Sequence, residues 1–179
     1  MSAVAELVLA APARLGAVRL VAIDGPSGAG KSTFAGALAA ELGAVLVPTD
    51  HFATWADPVS WWPRLVAGVL IPLSRGEAGR YRRTDWSGGI PRPGETVEVA
   101  VPDVLVVEGV SAGRRSVRPM LSCLVWVEVN PEDKRLARSV RRDGAHTHAD
   151  FVRWQAFERG WFAVDGTRAA ADLLVEHGE

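Results

Sequence analysis

The sequence predicts an α/β fold, a three-layer α/β/α sandwich built around a mainly parallel sheet. Short apolar runs alternate along the chain with segments of helical periodicity, and this alternation is typical of parallel strands joined by right-handed crossovers. The 179 residues are 48% hydrophobic and 23% charged, with a net charge of −1. A chain of this size and composition can bury a core without help, so we expect residues 1–179 to form a single domain.

Five apolar runs are the expected strands, because each is short and stands between turn signals or helical segments. In chain order they are Val18–Ile23, Ala44–Val47, Val104–Val107, Cys123–Val129 and Asp172–Val175.

Four segments are the expected crossover helices: they lie near Ser32–Leu42, Arg114–Leu121, Pro131–Arg142 and Asp150–Val164. In the first of them Phe34, Leu38 and Leu42 recur at helical spacing, and Gly43 follows as a stop signal. The amino-terminal run MSAVAELVLAAPARLG is apolar, but Glu6 interrupts it and no positive residue precedes its apolar part. It therefore predicts a short leading helix of a cytoplasmic protein and not a signal peptide.

A long connection, at about residues 51–102, joins the second and third expected strands. Between residues 72 and 102 it is rich in Gly, Pro and Arg, with room for a hairpin from Thr96 to Val101. Long ordered connections in compact domains are usually functional, so we expect this one to contribute to a binding site.

The segment after the first expected strand carries a G-x-x-x-x-G-K-[ST] motif and leads directly into the first expected helix. Glycines in such a loop remove the Cβ atoms that would block the approach of phosphate to the backbone N–H groups. Lys31 places a charge on the β- and γ-phosphates, and the Ser32 hydroxyl is a ligand type that Mg²⁺ takes. The predicted nucleotide-binding residues here are Gly25, Ser27, Gly28, Ala29, Gly30, Lys31, Ser32 and Thr33. No G-x-G-x-x-G frame fits, so a dinucleotide site is the poorer interpretation.

Two carboxylates follow expected strands, at the sheet edge where ligands of open α/β folds bind. Asp50 comes shortly after Ala44–Val47 and is placed to take a proton from an attacking hydroxyl, with a helix N-cap as the alternative. Glu108 follows Val104–Val107, where a buried carboxylate is costly unless it is paired or meets a metal. We expect it to hold Mg²⁺, and pairing with a neighbouring arginine is the alternative.

Arginines at positions 135, 138 and 142 fall on one face of the third expected helix, since residues three and four apart are neighbours there. Such a cluster beside a triphosphate would stabilise the charge that develops in phosphoryl transfer. We expect a lid at about residues 135–150, with Arg135 and Arg142 on the nucleotide and Arg138 in catalysis. The alternative is a solvated helix face, and we prefer that alternative for Arg141.

The near-neutral charge gives no electrostatic footprint for nucleic acid or for an anionic membrane surface. We therefore expect a small-molecule partner, no nucleic acid and no membrane, and we leave a homo-oligomer open. The single cysteine, Cys123, excludes an intrachain disulfide and lies in an apolar run, which predicts a buried core thiol.

The chain resembles the uridine kinase group of P-loop small-molecule kinases. The matching pieces are the loop GPSGAGKST, Asp50-x-Phe52, the segment from Tyr81 to Asp85-Trp86, the strand VLVVEG, RLARSVRRD from Arg135 onward, and the carboxy-terminal AADLLVE. Of these pieces, only the phosphate loop is a specific motif by itself. The resemblance depends on the order and spacing of all the pieces together.

The resemblance implies an enzyme that uses ATP and Mg²⁺ to phosphorylate a hydroxyl group, most simply that of a nucleoside such as uridine or cytidine. It implies that Asp50 is the general base, that Glu108 is the acidic residue at the metal, and that Arg135, Arg138 and Arg142 close over the phosphates. Lys31 joins Asp50 and Arg138 as an expected catalytic residue. The residues expected to bind the acceptor are Asp50, Phe52, Tyr81, Arg83, Asp85 and Trp86.

The chain also departs from the uridine kinase pattern. Ala53 stands where that group usually has Tyr, and the hairpin insertion is shorter, so the departures concern the acceptor side and not the nucleotide side. Trp55, Trp61 and Trp62 are available as aromatic surface for a base or a sugar face.

Two alternatives stay open. A nucleoside monophosphate kinase of the cytidylate type has a similar opening, although VPTDHFATWAD lacks the Gly and Arg that follow its second strand. A nucleotide-binding regulatory ATPase belongs to a different class. A kinase releases little ADP until its acceptor is added, whereas a regulatory ATPase is indifferent to small molecules.

Overall fold

The computed structural model describes residues 1–87 and 89–176, and it contains a five-stranded parallel sheet in the order β2-β5-β1-β6-β7. The helices and strands in chain order are α1 Ala3–Ala10, β1 Arg19–Asp24, α2 Lys31–Leu42, β2 Val45–Pro48, α3 Trp62–Leu65, a π-helix Val66–Leu70, α4 Ile71–Ser74, β3 Gly79–Asp85, β4 Arg92–Val99, β5 Val104–Glu108, β6 Leu121–Glu128, α5 Glu132–Asp143, α6 His148–Asp165 and β7 Leu173–Glu176. Short 3₁₀ helices occupy Thr49–His51, Arg118–Met120, Ala145–Thr147 and Arg168–Ala170.

The sheet separates two hydrophobic cores, because successive side chains of a strand point to opposite faces. In β1, Val21 and Ile23 pack with α1 and α2, whereas Leu20 and Ala22 face the α3–α4 stretch and the hairpin of β3 and β4. The predicted fold class, a three-layer α/β/α sandwich with a mainly parallel sheet, is therefore confirmed.

The register aligns the carboxyl ends of the central strands. Ile23 of β1 pairs with Glu108 of β5, and Pro48 of β2 pairs with the same Glu108. The loop after β1, the segment after β2 and the end of β5 therefore meet at one edge of the sheet, which is where open α/β folds bind ligands.

All five predicted strands form, and the leading helix forms as α1. The helix expected at Arg114–Leu121 is wrong, since only Arg118–Met120 is helical and β6 already begins at Leu121. Tertiary contacts explain the difference. The guanidinium of Arg114 donates to the carbonyls of Ser111 and Val59, and it lies 4.4 Å from the centre of the Trp62 ring.

The long connection is more ordered than its composition suggests. It contains helical turns from Trp62 to Ser74, and Pro63 in the first turn of α3 suits its position because its missing N–H group would have no intrahelical partner. The hairpin pairs Gly79–Asp85 with Arg92–Val99, so the hairpin expected at Thr96–Val101 is wrong in position. Within the described ranges, no helix combines the length and apolar character needed to span a bilayer.

Candidate functional site

The loop between β1 and α2 has a backbone path that depends on glycine. Gly25 has φ +142°, and a Cβ there would lie 2.0 Å from the Val127 carbonyl oxygen. Gly28 has φ +77°, and a Cβ there would lie 2.3 Å from the backbone oxygen of Arg135. Both glycines therefore permit close backbone approaches that no other residue could make. The loop opens directly onto the amino terminus of α2, whose free N–H groups favour anions.

Lys31, the first residue of α2, is 8% exposed, and its Nζ donates to the Pro26 carbonyl at 3.0 Å. Its ammonium therefore lies folded over the loop that precedes it. Lys31 and the loop residues Ser27, Gly28 and Gly30 line one side of a large cleft.

Glu108 closes the floor of the cleft beside the loop. Ser32 Oγ donates to Glu108 Oε1 at 3.1 Å, although 76 positions separate the two residues in the chain. Burial raises the pKa of the Glu108 carboxyl, and the nearby Lys31 charge opposes that rise. The alternative pairing partner, an arginine, forms no ion pair with Glu108 in the described part of the chain.

The Ser32 and Glu108 oxygens fit a Mg²⁺ ion. Mg²⁺ prefers oxygen ligands at about 2.0–2.1 Å in octahedral geometry, so two neighbouring ligands lie about 3 Å apart. The 3.1 Å separation of these oxygens satisfies that requirement. Across residues 1–87 and 89–176, no group of three or more His, Cys, Asp or Glu side chains could hold a metal. An ion at Ser32 and Glu108 would therefore take its remaining ligands from water and phosphate.

Asp50 lies in the 3₁₀ helix Thr49–His51, directly after β2, and lines the same cleft as the loop. The N-cap of that helix is Pro48, so the capping alternative does not describe Asp50. Trp86 Nε1 donates to the Asp50 carbonyl at 2.9 Å, which fixes the backbone and leaves the carboxylate for the cleft. Asp50 is exposed, as a group that meets a substrate must be.

The cleft has a volume of about 1080 Å³. Three arginines of α5 line it: Arg138, Arg141 and Arg142. The Arg142 guanidinium binds both oxygens of Asp143, and this pairing raises the pKa of Arg142. Arg141, for which the sequence favours a solvated helix face, is exposed and also lines the cleft.

Arg135 lies elsewhere. It is 7% exposed, its Nη1 donates to the Val129 carbonyl at 2.9 Å, and it lines a separate cavity of about 410 Å³. Its backbone oxygen is the atom that Gly28 approaches. The structure thus places Arg135 against the back of the loop, whereas Arg138 and Arg142 face the cleft.

Four aromatic rings line the same cleft, and we call them the aromatic wall: Trp55, Trp86, Phe151 and Trp154. The Trp55 ring centre lies 5.3 Å from Trp86, 5.5 Å from Phe151 and 5.7 Å from Trp154, each at a nearly perpendicular angle. Such edge-to-face packing is a favourable arrangement of aromatic rings and stabilises the wall. Of the expected acceptor residues, Asp50 and Trp86 therefore share one cleft.

The other expected acceptor residues lie outside the cleft lining. Phe52 is buried and lies 4.6 Å, ring centre to ring centre, from Tyr81, whose hydroxyl is 2.8 Å from His51 Nδ1. Arg83 pairs with Glu95 across the hairpin at 3.0 Å, and Asp85 accepts hydrogen bonds from Ser87.

Two buried carboxylates of the site were missed by the sequence analysis. Asp24 accepts backbone N–H bonds from Gly25, Ser111 and Gly113, and burial raises its pKa to about 6. Its position immediately before the loop was a signal for this role. Glu158 accepts hydrogen bonds from Ser27, and the 131 positions between them left no local signal.

No protein-family model and no curated protein matches this sequence. Among the solved structures that resemble it, two are matched over nearly the whole length of both chains. A possible uridine kinase from Bacillus stearothermophilus is 17% identical, with 96% of this chain and 95% of that one covered and a TM-score of 0.67. A protein described as a fructose transport system kinase from Silicibacter is 24% identical, with 97% and 98% covered and a TM-score of 0.70. At such identities the likeness concerns the fold, and the chain shares the α/β/α fold of these two proteins.

Proposed function

We propose that this protein is an ATP- and Mg²⁺-dependent kinase that transfers the γ-phosphate to a hydroxyl group of a small molecule, most simply a nucleoside such as uridine or cytidine. One observation carries the proposal: the phosphate loop, Glu108 and Asp50 line a single cleft. A loop that cradles phosphate, a metal-binding carboxylate and a free carboxylate are the parts that phosphoryl transfer to a hydroxyl requires.

Each group has a role in the proposed step. The loop amides and Lys31 hold the β- and γ-phosphates, and Mg²⁺ at Ser32 and Glu108 would neutralise phosphate charge. The Asp50 carboxylate accepts the proton of the acceptor hydroxyl as its oxygen bonds to the γ-phosphorus. The bond from the γ-phosphorus to the β–γ bridging oxygen breaks, and ADP leaves. Arg138 stabilises the charge that develops on the transferred group.

The aromatic wall supports an acceptor with a planar ring. Trp and Phe faces bury flat apolar surface well, and the wall shares the cleft with Asp50. The neighbour from Bacillus stearothermophilus is described as a possible uridine kinase, which agrees with a nucleoside. The neighbour from Silicibacter carries a sugar-related description, so free sugars belong in the same test.

The test is ADP release from ATP and Mg²⁺ with separate panels of nucleosides, nucleoside monophosphates and small sugars. We expect turnover only when a nucleoside is present. Turnover with monophosphates alone would favour a cytidylate-type enzyme, and acceptor-independent ATP hydrolysis would favour the regulatory ATPase and contradict the proposal.

Asp50→Asn is the matched variant for this test. Because Asp50 is exposed and caps no helix, we expect the variant to fold and to bind ATP as the wild type does. Its turnover should fall by about 10²-fold or more, the range of general-base removal. Equal losses of ATP affinity and of turnover rate would instead indicate that Asp50 is a metal ligand.

A further inference from the structure

The phosphate loop has one contact that the proposed step does not use. Glu158 of α6 is 1% exposed, and its two carboxylate oxygens lie 3.1 and 3.0 Å from the Ser27 backbone nitrogen. One of these oxygens also accepts the Ser27 hydroxyl at 2.8 Å. A single buried carboxylate thus holds both donors of one loop residue.

Glu158 supports the loop from behind and does not face the cleft. Ser27 lines the large cleft, whereas Glu158 lines the separate cavity of about 410 Å³, together with Pro26 and Arg135. A carboxylate turned toward bound phosphate would repel it. Its placement behind Ser27 therefore suits a group that orients the loop and not one that binds the nucleotide.

Glu158 also stands on the helix that carries half of the aromatic wall. Phe151 and Trp154 line the cleft, and Gln155 and Glu158 are buried further along α6. Trp154, Gln155 and Glu158 lie three, four and seven residues beyond Phe151, so all four residues share one helical face. One rigid element thus connects the acceptor side of the cleft to the phosphate loop.

On the basis of the proposed function, we propose that Glu158 is a positioning residue that fixes the Ser27 end of the phosphate loop and ties the loop to α6. The loop amides then face phosphate before the nucleotide arrives. The same contact makes α6, with Phe151 and Trp154, respond to the nucleotide.

The direction in which the Kd for ATP changes when Glu158 is replaced distinguishes positioning from a purely electrostatic effect. If the charge of Glu158 acted only through space, its removal would strengthen ATP binding, because a negative charge near phosphate opposes it. If Glu158 positions the loop, its removal weakens binding. Glu158→Gln nearly keeps the size of the side chain but removes its charge, so the charge-assisted hydrogen bonds from Ser27 become neutral ones of about half the strength.

ATP and Mg²⁺ are titrated by calorimetry without any acceptor, so that the result does not depend on acceptor identity. We expect Glu158→Gln to raise the Kd for ATP about tenfold, because the hydrogen bonds that hold Ser27 lose their charge assistance. The control is Glu128→Gln, which removes another buried carboxylate that lines the same cavity but binds Arg168 and Trp126 instead of the loop. It should leave the Kd unchanged.

Unchanged or tighter ATP binding by folded Glu158→Gln overturns the positioning role. A wild-type protein that binds no ATP overturns the proposed function itself. If Glu158→Gln does not fold, Ser27→Ala replaces it, because this change removes the hydroxyl contact and leaves the carboxylate in place. A weaker Kd for Ser27→Ala then supports the proposal, and an unchanged one contradicts it.

Hydrogen exchange tests the link to α6. Nucleotide should increase protection across residues 148–165 in the wild type and much less in Glu158→Gln. Equal protection of α6 with and without nucleotide in the wild type overturns the link.

Discussion

Lys31 is the cation shared by three buried carboxylates around the phosphate loop. Its charge lowers the pKa values of Asp24, Glu108 and Glu158, each of which burial raises. When folding raises the pKa of a carboxyl group, the folded state holds that proton more tightly than the unfolded chain does. The protein therefore loses stability as the pH rises through the folded pKa and the proton is released. Lys31 offsets part of this loss, so the residue has a structural role beside its expected contact with phosphate.

A pH-dependent stability follows from this arrangement. Lys31→Met keeps the apolar stem and removes the charge, so the pKa values of the three carboxyls rise further in the folded state. We expect the variant to lose more unfolding free energy, relative to the wild type, at pH 8 than at pH 5. Urea denaturation at the two pH values measures the difference. A loss that is equal at both would contradict the shared role.

Asp24 organises the backbone behind the loop. Its carboxylate accepts the N–H groups of Gly25, Ser111 and Gly113, and Ser111 has a φ of +72°, which is strained for a residue with a side chain. Asp24→Ala leaves three buried donors without an acceptor, at about 1–3 kcal/mol each. We expect urea denaturation to show a loss of about 3 kcal/mol or more. The exposed Asp103→Ala is the control, and a similar loss there would contradict the assignment.

At the scale of elements, α5 divides into a start packed against the phosphate loop and a later part whose arginines line the cleft. Arg135 is buried in its first half, and the backbone oxygen of Arg135 lies against Gly28. Arg138 and Arg142 face the cleft further along the helix. A lid that begins at position 135, as the sequence suggested, would have to break the contact with Gly28. We therefore expect that the part of α5 that moves when nucleotide binds begins after Arg135.

Two matched variants test this division. Arg138→Ala should lower kcat about 10²-fold with little change in ATP affinity or melting temperature, because it removes charge stabilisation from the transition state. Arg135→Ala should instead lower the melting temperature, because it removes a buried side chain that binds the Val129 carbonyl. If both variants lost the same kcat and kept the wild-type melting temperature, Arg135 would instead act on the phosphates, as the sequence predicts.

At the scale of the whole molecule, local patterns predicted the sheet, the phosphate loop and the strand-end carboxylates Asp50 and Glu108. These features depend on neighbours in sequence. The helix expected at Arg114–Leu121 failed because contacts of Arg114 with distant residues decided the local chain path. Glu158 was missed for the same reason, since its partner Ser27 lies 131 positions away. Contacts between distant segments are thus what the sequence pattern could not supply.

Cys123 offers a test of cooperativity for the whole sheet. It lies in β6, is 1% exposed, and burial raises the pKa of its thiol to about 12. Only the thiolate reacts with disulfide reagents, so labelling of Cys123 requires the sheet to open. We expect the native protein to react far more slowly than the urea-unfolded control.

Nucleotide should slow this labelling, because a ligand that binds only the folded state stabilises it. ATP with Mg²⁺ at 100 times its Kd contributes about 2.7 kcal/mol, which corresponds to about hundredfold slower labelling when opening is global and reclosing is fast. ATP without Mg²⁺ should protect less if Ser32 and Glu108 hold the ion. Labelling that is slow but indifferent to nucleotide would mean that β6 opens locally while the cleft stays formed. In that case the phosphate loop and the sheet would not unfold as one unit.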